Sequence, residues 1–183
     1  MMEGVTLLVL LAAASLWMVV AHGRLIKAKN EVYDSWAAVE DVLERRDQLI
    51  AVLGGLAQGR MGRDERSGVL VARLVQRCRE AYGAEAVAQA EDALAAEVAD
   101  LLHVVALSPG LIADPEAADL PGRIARLGAK VDEVVQVYND AARRLNVLVV
   151  AFPSSMVAKM YGFRRVGYYE PQGASAPQRG EWV

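Results

Sequence analysis

The sequence predicts an all-α protein: a single N-terminal transmembrane helix that continues into an antiparallel helical bundle. Three observations predict it. Val5 to Ala21 (VTLLVLLAAASLWMVVA) is an apolar run without charge or proline. Beyond it, apolar residues recur at helical spacing, with few β-branched alternations. Glycine and proline then fall so as to leave three or four long segments between them.

The first element is the span. With Gly4 the run is about 18 residues, or roughly 27 Å of helix, against a hydrocarbon core of about 30 Å. A cleaved signal peptide is the competing reading, since Val19-Val20-Ala21 offers a small-residue cleavage site. Against it, no cation precedes the run, which is long for a signal core. The preferred reading is a retained anchor over residues 4–23. Arg24, Lys27 and Lys29 follow it closely, so the positive-inside rule places the C-terminal side in the cytoplasm. Trp17 is expected near the inner headgroup belt.

The span has no breaker behind it until Gly54-Gly55, with Gly23 the one weak point. Leu25, Val32, Trp36, Val39, Leu43, Ile50 and Leu53 form one stripe, so a single helix is expected from about residue 4 to 57. Gly59 to Ser67 makes the first turn. A second helix carries Val71, Leu74, Cys78 and Tyr82 on one face and ends at Gly83. A third covers about 84–107, with Ala90, Leu94, Val98, Leu101 and Val105 in register. Ser108-Pro109-Gly110 and Asp114-Pro115 mark a loop. A fourth helix begins near Leu120, with Pro121 in its first turn. Its stripe is Ile124, Leu127, Val131, Val134, Tyr138, Leu145 and Leu148, and it ends near Phe152-Pro153. Such stripes bury against one another as a bundle over residues 24–170, closed by a segment at 152–170. Residues 171–183 lack periodicity and are read as a disordered tail.

Composition narrows the function classes. The net charge of −3 argues against a nucleic-acid partner. Cys78 is the one cysteine, so no internal disulfide or cysteine-based metal cluster is possible, and it reads as a small core residue. His22 and His103 are too few and too far apart to suggest a metal site. Ser154-Ser155 follow Pro153, where hydroxyls cap a helix start. No nucleophile elbow, P-loop or zinc-protease motif occurs. No catalytic residue, metal ligand or cofactor is expected, and the chain is read as not an enzyme.

Two features remain. Arg45 and Arg46 lie on or beside the apolar stripe of the first helix, so one of them must snorkel or pair inside the bundle. Asp132, Glu133 and Asp140 are the expected partners, and an anion or partner site at the double Arg is the alternative. The second is the segment from Phe152 to Tyr169, which mixes apolar and aromatic residues with cations. Its candidate interaction residues are Tyr161, Phe163, Arg164, Arg165, Tyr168 and Tyr169. It suits a membrane interface or a partner surface, or else folds back on the bundle. Phe152 lines up with Leu145 and Leu148 and is expected to dock.

Two stretches carry a family resemblance. The first runs Asn30-Glu31-Val32-Tyr33-Asp34-Ser35-Trp36, then Val39-Glu40 and Leu43-Glu44-Arg45-Arg46-Asp47-Gln48-Leu49-Ile50. The second holds Tyr138-Asn139-Asp140-Ala141, Phe152-Pro153-Ser154-Ser155-Met156-Val157-Ala158, Tyr161-Gly162-Phe163 and Tyr168-Tyr169-Glu170. Together they resemble the bacterial LemA family, whose members combine an N-terminal span, a Trp followed by a double-Arg helix, and a terminal YND…FPSNLVA…GF…YFE signature. Ala51, Gly128, Ala129 and Val135 depart from the family pattern in the middle of the chain. The resemblance implies a membrane-anchored helical bundle in the bacterial inner membrane. The expected function is a scaffold or assembly factor acting through protein–protein contacts. Its expected partners are membrane lipid, further copies of itself and a cytoplasmic protein. Ala12, Ala13, Ala14 and Ser15 give the span a small-residue patch that permits such self-association. The alternative is a regulatory or sensory module that signals to a cytoplasmic partner.

Overall fold

The computed structural model describes residues 2–61 and 65–171. Its helices are α1 (Met2–Met61), α2 (Glu65–Glu80), α3 (Ala84–Ala106), α4 (Pro109–Ile112), α5 (Pro115–Val150) and α6 (Ser154–Met160). No strand occurs among the described residues. The protein is all-α, with a long apolar helix at its N-terminus.

Helix α1 runs through Gly23 without a break. One interior glycine costs only about 1 kcal/mol, which the flanking helix formers offset. Its N-terminal part is long and apolar enough to cross a membrane, and just 6% of its most apolar window is buried. The polar side chains there are satisfied within the helix. Thr6 Oγ1 donates to the Met2 carbonyl at 2.9 Å, and Ser15 Oγ donates to that of Leu11 at 2.8 Å. From Ala21 onward one side of α1 is buried. Leu25, Val32, Val39, Leu43, Ile50 and Leu53 are in that face, as their spacing predicts.

The chain forms two compact units. One holds the residues up to Ala37 with Gln136–Val166. It buries Leu25, Ala28 and Val32 of α1, Tyr138, Ala141, Ala142 and Leu145 of α5, and Val157 and Ala158 of α6. Trp36 leans on Tyr138, with ring centroids 5.0 Å apart and tilted by 58°. Both ends of the Asn146 amide bind the backbone of Val166: Nδ2 donates to its carbonyl and Oδ1 accepts from its N–H, each at 2.9 Å.

The other unit holds Ala38–Val135 and the residues from Gly167 on. Four helices supply its core: Ile50, Leu53 and Ala57 from α1, Val71, Val75 and Cys78 from α2, Ala90 to Val105 from α3, and Ala117, Leu120 and Ile124 from α5. Burying each leucine fully contributes roughly 1.5–3 kcal/mol. Helices α2 and α3 form a hairpin whose turn needs Gly83, at φ 88°.

Several element boundaries differ from expectation. Tyr82 is 97% exposed, because α2 ends at Glu80 and the buried face is Val71, Val75 and Cys78. Pro109–Ile112, expected as loop, makes a helical turn. Helix α5 starts at Pro115, where the missing N–H costs nothing, and this places Pro121 inside the helix and not in its first turn. The first turn, expected over Gly59 to Ser67, is helical at both ends, since α1 runs to Met61 and α2 starts at Glu65; residues 62–64 and the expected tail beyond Pro171 lie outside the described residues.

Candidate functional site

Successive helical residues turn by about 100°, so Arg45 and Arg46 face different ways. Arg45 is exposed and pairs with Asp41 one turn earlier, at 2.9 Å. Arg46 turns inward and donates to Glu91 of α3. It also lies 3.6 Å from Asp47. One arginine therefore pairs inside the fold, as the stripe requires, but its partners are not the expected ones. Asp132, Glu133 and Asp140 are all exposed. Glu133 holds Lys130 at 2.7 Å and Asp140 holds Arg143 at 3.3 Å. Glu91 was missed, although its signal is in the sequence. It stands in the buried stripe of α3 between Val87 and Leu94, a carboxylate complementing the inward guanidinium of Arg46.

Two carboxylates share that single guanidinium. The Asp47 and Glu91 side chains are 4% and 5% exposed. Asp47 Oδ1, Glu91 Oε1 and Arg46 Nε are buried without a hydrogen bond. Such atoms carry the full desolvation penalty, so the cluster is held with charge left over. Burial and then the Glu91 charge push the Asp47 carboxyl up to about 6, against the opposing pull of Arg46. Burial and the same Glu91 push the Cys78 thiol up to about 12, which makes it a protonated core group. Burial lowers the Arg46 guanidinium, but Glu91 and Asp47 together hold it above its ordinary value.

A cleft of about 410 Å³ opens beside this cluster. Glu40, Glu44, Asp47 and Glu91 line it with Arg79, Cys78, Leu43, Ala81 and Val87. Four carboxylates against Arg79 and the Arg46 beneath them leave the cleft acidic, a place for a cationic group.

Tyr169 corrects another expectation. It was an interaction candidate and is 4% exposed. Burial and the neighbouring Glu91 push its hydroxyl up, so it belongs to the charged core and not to a surface.

A second constellation lies at the end of the apolar run, inside the first unit. Helix α6 stops at Gly162, whose φ of 72° permits a Schellman cap. The Phe163 N–H donates to the Ala158 carbonyl at 2.9 Å, and that of Gly162 to Lys159 at 3.4 Å. The cap sets Tyr161 and Phe163 against His22, with ring centroids at 4.3 and 6.0 Å. Arg164 and Arg165 are exposed; Tyr168, which belongs to the other unit, is half-buried. Arg24, Lys27 and Lys29 are exposed, and Lys29 Nζ stands 5.5 Å from the Tyr33 ring centre. Trp17 is 39% exposed.

Phe152 does not dock: it is 81% exposed. Helix α5 ends at Val150, so the register of Leu145 and Leu148 does not reach it, and Val157 and Ala158 fill the buried face instead. Nor does Ser154 cap α6 with its side chain. Its hydroxyl turns back to the carbonyls of Leu148 and Ala151, at 2.7 and 2.9 Å, and so closes the end of α5. His103 is exposed, and no group of three or more metal-ligating side chains occurs among the described residues.

No curated protein matches the chain. The family model described as LemA family matches residues 35–179, which takes in the double-Arg helix, the cluster it anchors and the aromatic segment. The chain belongs to the LemA family.

Proposed function

We propose that this protein is a membrane-anchored scaffold or assembly factor that works through protein–protein contacts and is not an enzyme. Residues 4–23 hold it in the bacterial inner membrane, with the N-terminus outside and the bundle in the cytoplasm. The cationic flank at Arg24, Lys27 and Lys29 supports that orientation. The observation that carries the function is the acidic cleft, whose buried oxygens on Asp47 and Glu91 lack hydrogen-bond partners. A lysine or arginine from a partner would satisfy them and remove the surplus charge. Cys78 is protonated and so supplies no nucleophile beside them.

Purification of the full chain in mild detergent, followed by native mass analysis, tests this reading. A complex of several copies, or of this chain with a second protein, is the expected result. A bare monomer in every mild detergent would contradict it.

The regulatory reading draws on one observation, the Asp47 carboxyl near 6. A group that changes charge close to neutral pH can make partner binding depend on protons. A partner affinity that stays constant across that range would remove this reading.

A further inference from the structure

The outer side of α6 has an unusual composition. Val157 and Ala158 point inward and are buried, yet Met156 and Met160 on the other side are 61% and 59% exposed. Phe152 before them and Tyr161 after them are exposed as well. So are Val147 and Val150 at the end of α5. A short helix that is apolar on both sides leaves a contiguous apolar patch in water unless something covers it.

Three observations say what covers it. The first is position. Tyr161 and Phe163 rest on His22, the residue directly after the apolar run Val5–Ala21, so the patch sits at the mouth of the span. The second is charge. Between Asp140 and Glu170 the chain has no acidic residue and five cations: Arg143 and Arg144 pair with Asp140 and Glu31, and Lys159, Arg164 and Arg165 stand exposed beside the patch. This happens in a protein of net charge −3. The third is side-chain type. Lysine and arginine beside methionine and aromatic rings can bury their stems while the charged heads reach phosphate.

We propose that the outward side of α6, from Phe152 to Tyr161, lies in the headgroup region of an anionic bilayer, with Lys159, Arg164 and Arg165 on lipid phosphates. This rests on the anchor reading. The span holds the patch at the surface, so weak interfacial affinity is enough to keep it there. Anionic headgroups attract each cation that stands near the surface.

The test uses the full chain in a Cys78→Ala background, reconstituted into vesicles of phosphatidylcholine mixed equally with phosphatidylglycerol. Cysteine is introduced singly by Met160→Cys, Val9→Cys or Asp100→Cys and labelled with an environment-sensitive fluorophore. Spin-labelled lipids then quench by depth. Loss of fluorescence at position 160 to headgroup-level quenchers is expected, together with loss at position 9 to deep quenchers and none at 100. Replacing phosphatidylglycerol by phosphatidylcholine should weaken quenching at 160 and leave position 9 unchanged. Deep quenching at 9 with position 160 no more quenched than 100 would overturn the proposal while leaving the anchor intact. Self-quenching at 160 without lipid quenching would overturn it in favour of a second copy. No quenching at 9 would overturn the anchor reading and this proposal with it.

Discussion

Arg46 of α1 donates to Glu91 of α3 across 45 positions of sequence, and both side chains are largely withdrawn from water, at 15% and 5% exposure. Asp47 stands on the same guanidinium, so removing the arginine leaves two buried carboxylates facing each other. Arg46→Met is expected to destabilise the protein by about 3–5 kcal/mol, the range for breaking a buried pair from one side. Glu91→Gln should cost less, because Asp47 remains for Arg46. Arg45→Ala removes only an exposed pair and should stay within about 1 kcal/mol. Denaturant melts of the full chain in detergent check all three. Equal losses for Arg45→Ala and Arg46→Met would contradict the assignment of the inward arginine.

Asp47 gives the cluster a pH signature. Its carboxyl is raised from 3.8 to about 6, so the folded state binds the proton more tightly than the unfolded chain. The corresponding stability is complete below about 3.8 and is lost as pH rises through about 6. Above that range the charged Asp47 works against folding. Asp47→Asn should therefore raise the melting temperature at neutral pH, by the equivalent of about 3 kcal/mol. The gain should shrink through the window and vanish in acid. A gain of the same size at every pH would show that the charge is not its cause.

Exposure separates two aromatic residues that sequence treats alike. Phe152→Ala should shift stability by no more than about 0.5 kcal/mol, since the ring is not buried in the fold. Tyr138→Ala should cost about 3–5 kcal/mol, because Tyr138 is buried and supports Trp36. Thermal melts of the two variants in detergent decide. A large loss for Phe152→Ala would mean that the segment docks after all.

Helical periodicity made α1, α3 and most of α5 legible, because each buries one stripe and that stripe is written every three or four residues. What escaped was pairing between stripes. Arg46 was visible as a cation in an apolar row, but its partner depends on which helix faces it, and periodicity within one helix does not say so. Glu91 was equally visible and went unread, because it was not weighed as an exception in its own row. Phe152 was misplaced by extending the register of α5 past Val150, where the helix ends. Tyr169 lies in a segment without regular secondary structure, where no period marks which side chain turns inward.

The proposed orientation rests on the flanking cations. A reporter fused after Val183 should be active as a cytoplasmic fusion and silent as a periplasmic one. Periplasmic activity would invert the topology and revive the cleaved-signal reading for Val5–Ala21.

The most direct test of the scaffold reading asks whether a protein touches the acidic cleft in the membrane. A photo-crosslinking amino acid at position 44, on the cleft wall, should yield discrete protein adducts in whole cells. Those adducts should weaken with Glu40→Gln, which removes charge from the same wall, and should not form from position 100. No adduct from position 44, or the same adducts from 44 and 100, would contradict it.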